Sequence, residues 1–199
     1  MAKVVKVHIV PPVKLGARKV RKSKREKMEE MGQLNMFDQL KIVSFPQSGN
    51  FFDEALTLDE EGDPRAKEYY LKAIEHSHSI ADAYCNLGIL MWQQEELAKA
   101  VDCLTKSLKE NPRHYEAHYN LANVYSESGS LDMAKIHFEV AIEINPDFPN
   151  SHYNLGLVYI SQGRYKEAIP HIRNFVNLSP GSEHKEIHKL LETLTSLAQ

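Results

Sequence analysis

The chain has 199 residues, 42% hydrophobic and 26% charged, the balance of a globular protein rather than a fibrous or wholly disordered one. No apolar run approaches the ~20 residues that cross a bilayer, and the stretch from Met1 to Lys6 lacks the apolar core of a secretory leader, so a cytoplasmic protein without membrane contact is expected. The formal charge of −3 is unevenly spread: residues 1–30 hold ten lysines and arginines against three acids, a local +7 that leaves −10 on the remainder.

Residues 1–46 read as a basic, largely disordered arm and linker, because Pro11-Pro12, Gly16 and the cation run offer no core. Three uses of residues 1–30 follow from the charge. The arm is a solvated tail, or it makes weak contact with nucleic-acid phosphates, or it lies in an acidic groove of its own chain as a tethered competitor. No aromatic residues interleave the cations, so stacking on bases is not expected. Within the linker, Gln33, Leu34, Asn35, Met36 and Phe37 resemble the pentapeptide with which bacterial proteins dock on the replication sliding clamp. Leu34 and Phe37 would fill an apolar pocket while Gln33 anchors by hydrogen bonds. The competing reading is an apolar cluster that packs on the first repeat.

From about residue 47 the chain becomes periodic. Leu87-Gly88, Leu121-Ala122 and Leu155-Gly156 recur at 34 residues. Met91, Tyr125 and Tyr159 keep the same step, as do Ala100, Ala134 and Ala168, then Leu104, Phe138 and Ile172, and finally Pro112, Pro146 and Pro180. Each helix of such a repeat needs an apolar stripe at i, i+3, i+4 and i+7, which Tyr84, Leu87, Gly88 and Met91 supply. Small residues at Gly88, Ala122 and Gly156 allow close approach of a neighbouring helix. Gly129 and Gly163 mark turns with positive φ, and Glu95 at the equivalent point implies a strain of about 1 kcal/mol. Asn111-Pro112, Asn145-Pro146 and Ser179-Pro180 end the second helices. Pro170, inside the last of these helices, predicts a kink or a shifted start.

This pattern resembles the tetratricopeptide repeat, W-x2-L-G-x2-Y, then A-x3-F, then P. Residues 81–114, 115–148 and 149–182 match it, and 47–80 form a degenerate copy with a turn at Gly62-Asp63-Pro64 and no closing proline. Tyr84, His118 and His152 stand where the family often has Trp, and Phe175 where it prefers Ala. The resemblance implies an all-α, right-handed α-solenoid of about four helical hairpins in one domain, 47–182. Residues 183–199 then form a capping helix with a stripe of Ile187, Leu190, Leu191, Leu194 and Leu197.

It also implies a non-catalytic scaffold or adaptor that binds another protein or peptide in a groove lined by the first helices. Asn86, Asn120 and Asn154 recur there at 34 residues, with Asn123 one turn further along. A carboxamide donates and accepts, so such a ladder pairs with an extended backbone without reading its sequence. Tyr119, Tyr153, Trp92, Ile89, Leu157 and Ile160 are expected to flank it and supply apolar contact area. Asp53, Asp59, Glu60, Asp82, Glu116 and Glu127 bias the face toward a neutral or basic segment. The first-helix positions Cys85, Asn86, Glu116 and Asn120 hold no cations for a C-terminal carboxylate, which argues against that mode.

No catalytic residue, cofactor or metal ligand is expected. His114/His118 and His184/His188 are only i, i+4 pairs without H-E-x-x-H, and His118 and His152 occupy packing positions. Cys85 and Cys103 fall on different helices of one repeat without metal spacing, as reduced thiols. A monomer is the expected state.

Overall fold

A computed structural model describes residues 16–20, 50–179 and 185–198. The docking-like segment Gln33–Phe37 and most of the basic arm lie outside the described residues. Those described are all-α, as expected: α1 Phe51–Glu60, α2 Ala66–Glu75, α3 Ile80–Gln93, α4 Leu97–Glu110, α5 Tyr115–Glu127, α6 Leu131–Ile144, α7 Pro149–Ser161, α8 Tyr165–Leu178 and α9 Lys185–Leu197. They fall into two compact units, Arg18–Asn120 and a second that begins at Leu121, the division lying within α5. In the first unit α1 packs on α2, α2 on α3 and α3 on α4. In the second, α6 packs on α7, α7 on α8 and α8 on α9.

The hairpins follow from residues at the helix ends. Gly62, Glu95, Gly129 and Gly163 have φ of 71°, 62°, 79° and 71°. Each ends a helix in the same way: the next residue's N–H reaches back to a carbonyl five positions earlier, as in Glu96→Met91 at 2.9 Å and Arg164→Tyr159 at 2.8 Å. Glu95 therefore adopts the left-handed conformation that the sequence assigned to it. The degenerate repeat, which has no closing proline, instead turns through Ser77 and Ser79 at φ 58° and 48°. The Asn-Pro steps do end α4 and α6, whose last residues are Glu110 and Ile144.

Packing explains the repeated small residues. Ala100, Ala134 and Ala168, and Leu104, Phe138 and Ile172, have no exposed surface. A Cβ on Gly88 would lie 2.8 Å from Leu104 Cγ, and one on Gly156 2.5 Å from Ile172 Cδ1. α9 buries Leu190 and Leu194 but leaves Leu197 36% exposed. Pro170 departs from expectation. α8 runs without a break from Tyr165, one period after the start of α6, so its start is not displaced. The proline sits on the exposed side of the helix, where water can hydrate the carbonyl it leaves without a helical donor.

Two opposite stability changes are expected in urea denaturation. Glu95→Gly, which removes left-handed strain, should raise the unfolding free energy by up to about 1 kcal/mol. Gly88→Ala, pressed against Leu104, should lower it by about 1–3 kcal/mol.

Candidate functional site

In the unit Arg18–Asn120, Asn86 and Asn120 lie on α3 and α5, on the first helices of consecutive hairpins. Both are fully buried, and what faces them is the chain's own arm. Arg18 donates its N–H to Asn120 Oδ1 at 2.9 Å, and Asn120 Nδ2 donates to the Arg18 carbonyl at 2.8 Å. Val20 and Asn86 repeat the exchange at 2.9 and 3.2 Å. Each carboxamide thus closes a two-bond ring with one residue of a segment that is neither helix nor turn. Residues i and i+2 of an extended chain present their polar groups on one side, and two residues advance about 6.6 Å. Rungs supplied 34 residues apart are met by chain residues two apart, running opposite to the order of the repeats. Asn120 Nδ2 also lies 3.5 Å from Cys85 Sγ. Burial pushes that thiol's pKa well up, so it stays a neutral neighbour.

Lys19, between the two rung residues, turns the other way. Its ammonium meets Asp59 Oδ1 at 2.6 Å, and the second carboxylate oxygen accepts from the Tyr70 hydroxyl at 3.0 Å. The Asp59 side chain is only 4% exposed. Burial, then the adjacent Asp59 charge, raise the Tyr70 pKa far above its usual value, so the hydroxyl keeps its proton and remains a donor. Sequence reasoning counted Asp59 among the groove acids but gave Tyr70 no part in the site, and missed that they form one pocket. The signal was present: Phe52, Ala55 and Asp59 are the buried residues of α1, so a carboxylate occupies the i+7 place of an apolar stripe. The Arg18 guanidinium lies 6.0 Å from the centre of the Tyr115 ring, at the outer limit of a cation–π contact.

Four residues before each rung stands an acid, Asp82 and Glu116, and His114 holds both. Its Nε2 lies 2.9 Å from Asp82 Oδ1 and its Nδ1 3.4 Å from Glu116 Oε2. Nδ1 also sits 3.2 Å from the Ala117 N–H, a cap that only an unprotonated Nδ1 accepts. The two uses exclude each other. Burial opposes charging the ring, but the carboxylates of Asp82 and Glu116 outweigh it and raise the pKa to about 9. Of the acids, Glu116 is itself held below the usual carboxylate range, burial being overcome by its hydrogen bond to His114.

The other expected ligand contacts are placed differently. In the second unit, Asn154 Nδ2 donates to Asn123 Oδ1 at 2.8 Å, so these two amides engage each other. Ile89 and Tyr119 have no exposed surface and Tyr153 has 2%, so none of the three presents apolar area to an outside segment in this arrangement. The reason is that the middle of a first helix is covered nearly all round: every residue from Cys85 to Ile89, and from Ser151 to Gly156, is buried. Trp92, Leu157 and Ile160 are half-buried. His118 and His152 place Nε2 at 3.2 and 3.0 Å from the carbonyls of Pro112 and Pro146, the same contact one repeat apart. Among the described residues no cluster of histidine, cysteine and acid side chains suits a metal, and no helix is long and apolar enough to cross a membrane.

Repeated helical hairpins of this kind form a protein-interaction module. Tetratricopeptide repeat family models match residues 81–114 and 149–182, 103–136, and 122–163, and the chain belongs to that family. Two of these spans coincide with repeats read from the sequence. No curated protein matches the chain. Among solved structures, a crystal structure of MamA aligns with a TM-score of 0.60 at 24% identity, over 80% of this chain and 96% of that one. Another MamA crystal structure gives 0.59 at 21%, over 74% and 86%. The first tetratricopeptide domain of Spaghetti (RPAP3), bound to the HSP90 peptide SRMEEVD, gives 0.55 at 20%, over 60% and 94%. At these identities the likeness is one of fold.

The His114 arrangement has a measurable consequence. Its folded pKa lies above the unfolded value near 6.5, so its stabilisation is complete below about pH 6.5 and is lost as pH rises through about 9. Unfolding free energy should therefore fall by up to a few kcal/mol between these limits. His114→Gln should flatten that slope, and an NMR titration should place the imidazole near 9 rather than 6.5.

Proposed function

We propose that the groove of the Arg18–Asn120 unit binds an extended, basic segment of another protein through the Asn86 and Asn120 carboxamides. We propose also that residues 18–20 are a tethered stand-in for that segment. One observation carries the reading: each amide exchanges two hydrogen bonds with the backbone of alternate residues, Arg18 and Val20. Backbone pairing of this kind is indifferent to the side chains it passes. Selectivity then comes from charge, and Asp59 with Lys19 favours a basic segment.

Magnitudes support a displaceable occupant. Four hydrogen bonds contribute about 2–6 kcal/mol net, while fixing the backbone of three residues costs about 3–6 kcal/mol. The ion pair tips the balance only modestly. The arm holds its place through high effective concentration, and an incoming segment that makes further contacts replaces it. The peptide SRMEEVD in the Spaghetti structure is acidic at its end. Here the rung positions are amides, and the nearby acids Asp59, Asp82 and Glu116 outnumber the His114 imidazolium, which disfavours such a tail.

The test keeps the full chain. Proline at 18 and 20 removes both backbone donors while retaining an extended preference, so Arg18→Pro/Val20→Pro should free the groove. A labelled peptide of residues 16–22 should bind this variant at least tenfold more tightly than the unaltered chain, by fluorescence anisotropy. Adding Asn86→Ala/Asn120→Ala should remove that binding. Equal affinity for all three proteins would rule the reading out.

A further inference from the structure

Resting on that backbone-pairing reading, we infer that the pocket formed by Asp59 and Tyr70 selects lysine at the residue between the two rungs. The ligand class is thereby narrowed to an extended segment with lysine at that position. Three features of the pocket point to it. First, with the arm in place the carboxylate is nearly sealed, its side chain 4% exposed, unlike the solvated acids that decorate a helix surface. A buried carboxylate without a cation is costly, and its partner here comes from the arm, not from the helical repeats. An incoming segment that evicts residues 18–20 must bring its own cation or leave Asp59 unpaired.

Second, the register is fixed. Arg18 and Val20 spend their backbone groups on Asn120 and Asn86. The intervening side chain must project away from the rungs, because successive residues of an extended chain face opposite ways. Any segment bound to both amides brings one side chain, and only one, to the Asp59 pocket.

Third, the pocket discriminates between cations. Tyr70 donates to Asp59 Oδ2 at 3.0 Å, which leaves Oδ1 as the oxygen that receives Lys19. Tyr70 is fully buried and keeps its proton, so that oxygen stays engaged. A lysine ammonium is a point charge and needs one acceptor. An arginine guanidinium gains most from a two-oxygen fork, for which the Tyr70 hydroxyl competes at Oδ2. Lysine is therefore preferred over arginine, and over an uncharged side chain with the same four-carbon stem. Nε-acetylation of that lysine removes the charge and releases the segment.

The experiment titrates four versions of the 16–22 peptide into the full-length Arg18→Pro/Val20→Pro chain. They carry lysine, norleucine, arginine or Nε-acetyl-lysine at the middle position. The lysine peptide should bind at least tenfold more tightly than the norleucine and acetyl-lysine peptides, and more tightly than the arginine peptide. Asp59→Asn should abolish these differences. Tyr70→Phe, which frees the second oxygen without changing the ring, should raise arginine relative to lysine. Both variants are checked for helicity by circular dichroism, and the comparison among peptides stands without either. Norleucine binding within twofold of lysine, with Asn86→Ala/Asn120→Ala still abolishing both, would overturn lysine selection and leave the backbone pairing intact. A lysine preference that survives loss of both amides would overturn the backbone pairing and keep the pocket. Absence of binding by every peptide to the folded variant would overturn both.

Discussion

A carboxamide can complete one residue of an extended chain: its oxygen takes the N–H and its nitrogen gives to the C=O. The site depends on two such groups set at a separation that the chain covers in two residues. Asn86 and Asn120 meet that condition against Val20 and Arg18. Gly88, with no room for a Cβ beside Leu104, holds α3 close to α4 within one hairpin, on the helix that carries Asn86.

Charge then supplies what the amides leave open. Asp59 takes the lysine, while Asp82 and Glu116 share His114. The acids near the rungs are therefore not equivalent. Two are largely satisfied within the repeats, and the third waits on whatever segment lies in the groove.

Much of the architecture could be read before any coordinates. The 34-residue step located the hairpins, and Glu95 standing in a glycine position predicted a left-handed turn, which it adopts at φ 62°. Asn86 and Asn120 stood out because an asparagine recurred at 34 residues, each time immediately before a repeat leucine. Their occupant was legible only as one of three uses of the basic arm, since nothing in Gly16-Ala17-Arg18-Lys19-Val20 announces a register. The Asp59–Tyr70 pair escaped notice because each residue was judged in its own helix, and the pocket exists only where α1 and α2 meet. Ile89, Tyr119 and Tyr153, expected beside the rungs, are as buried as Asn86 and Asn120 themselves.

The central claim is that alternate backbone amides of the arm are bonded to the rungs. Hydrogen exchange resolved at single residues by NMR on the unaltered chain reads this directly. The N–H groups of Arg18 and Val20 should exchange markedly more slowly than that of Lys19, and Asn120→Ala should speed Arg18 more than Val20. Uniform, unprotected exchange at all three positions would contradict the account.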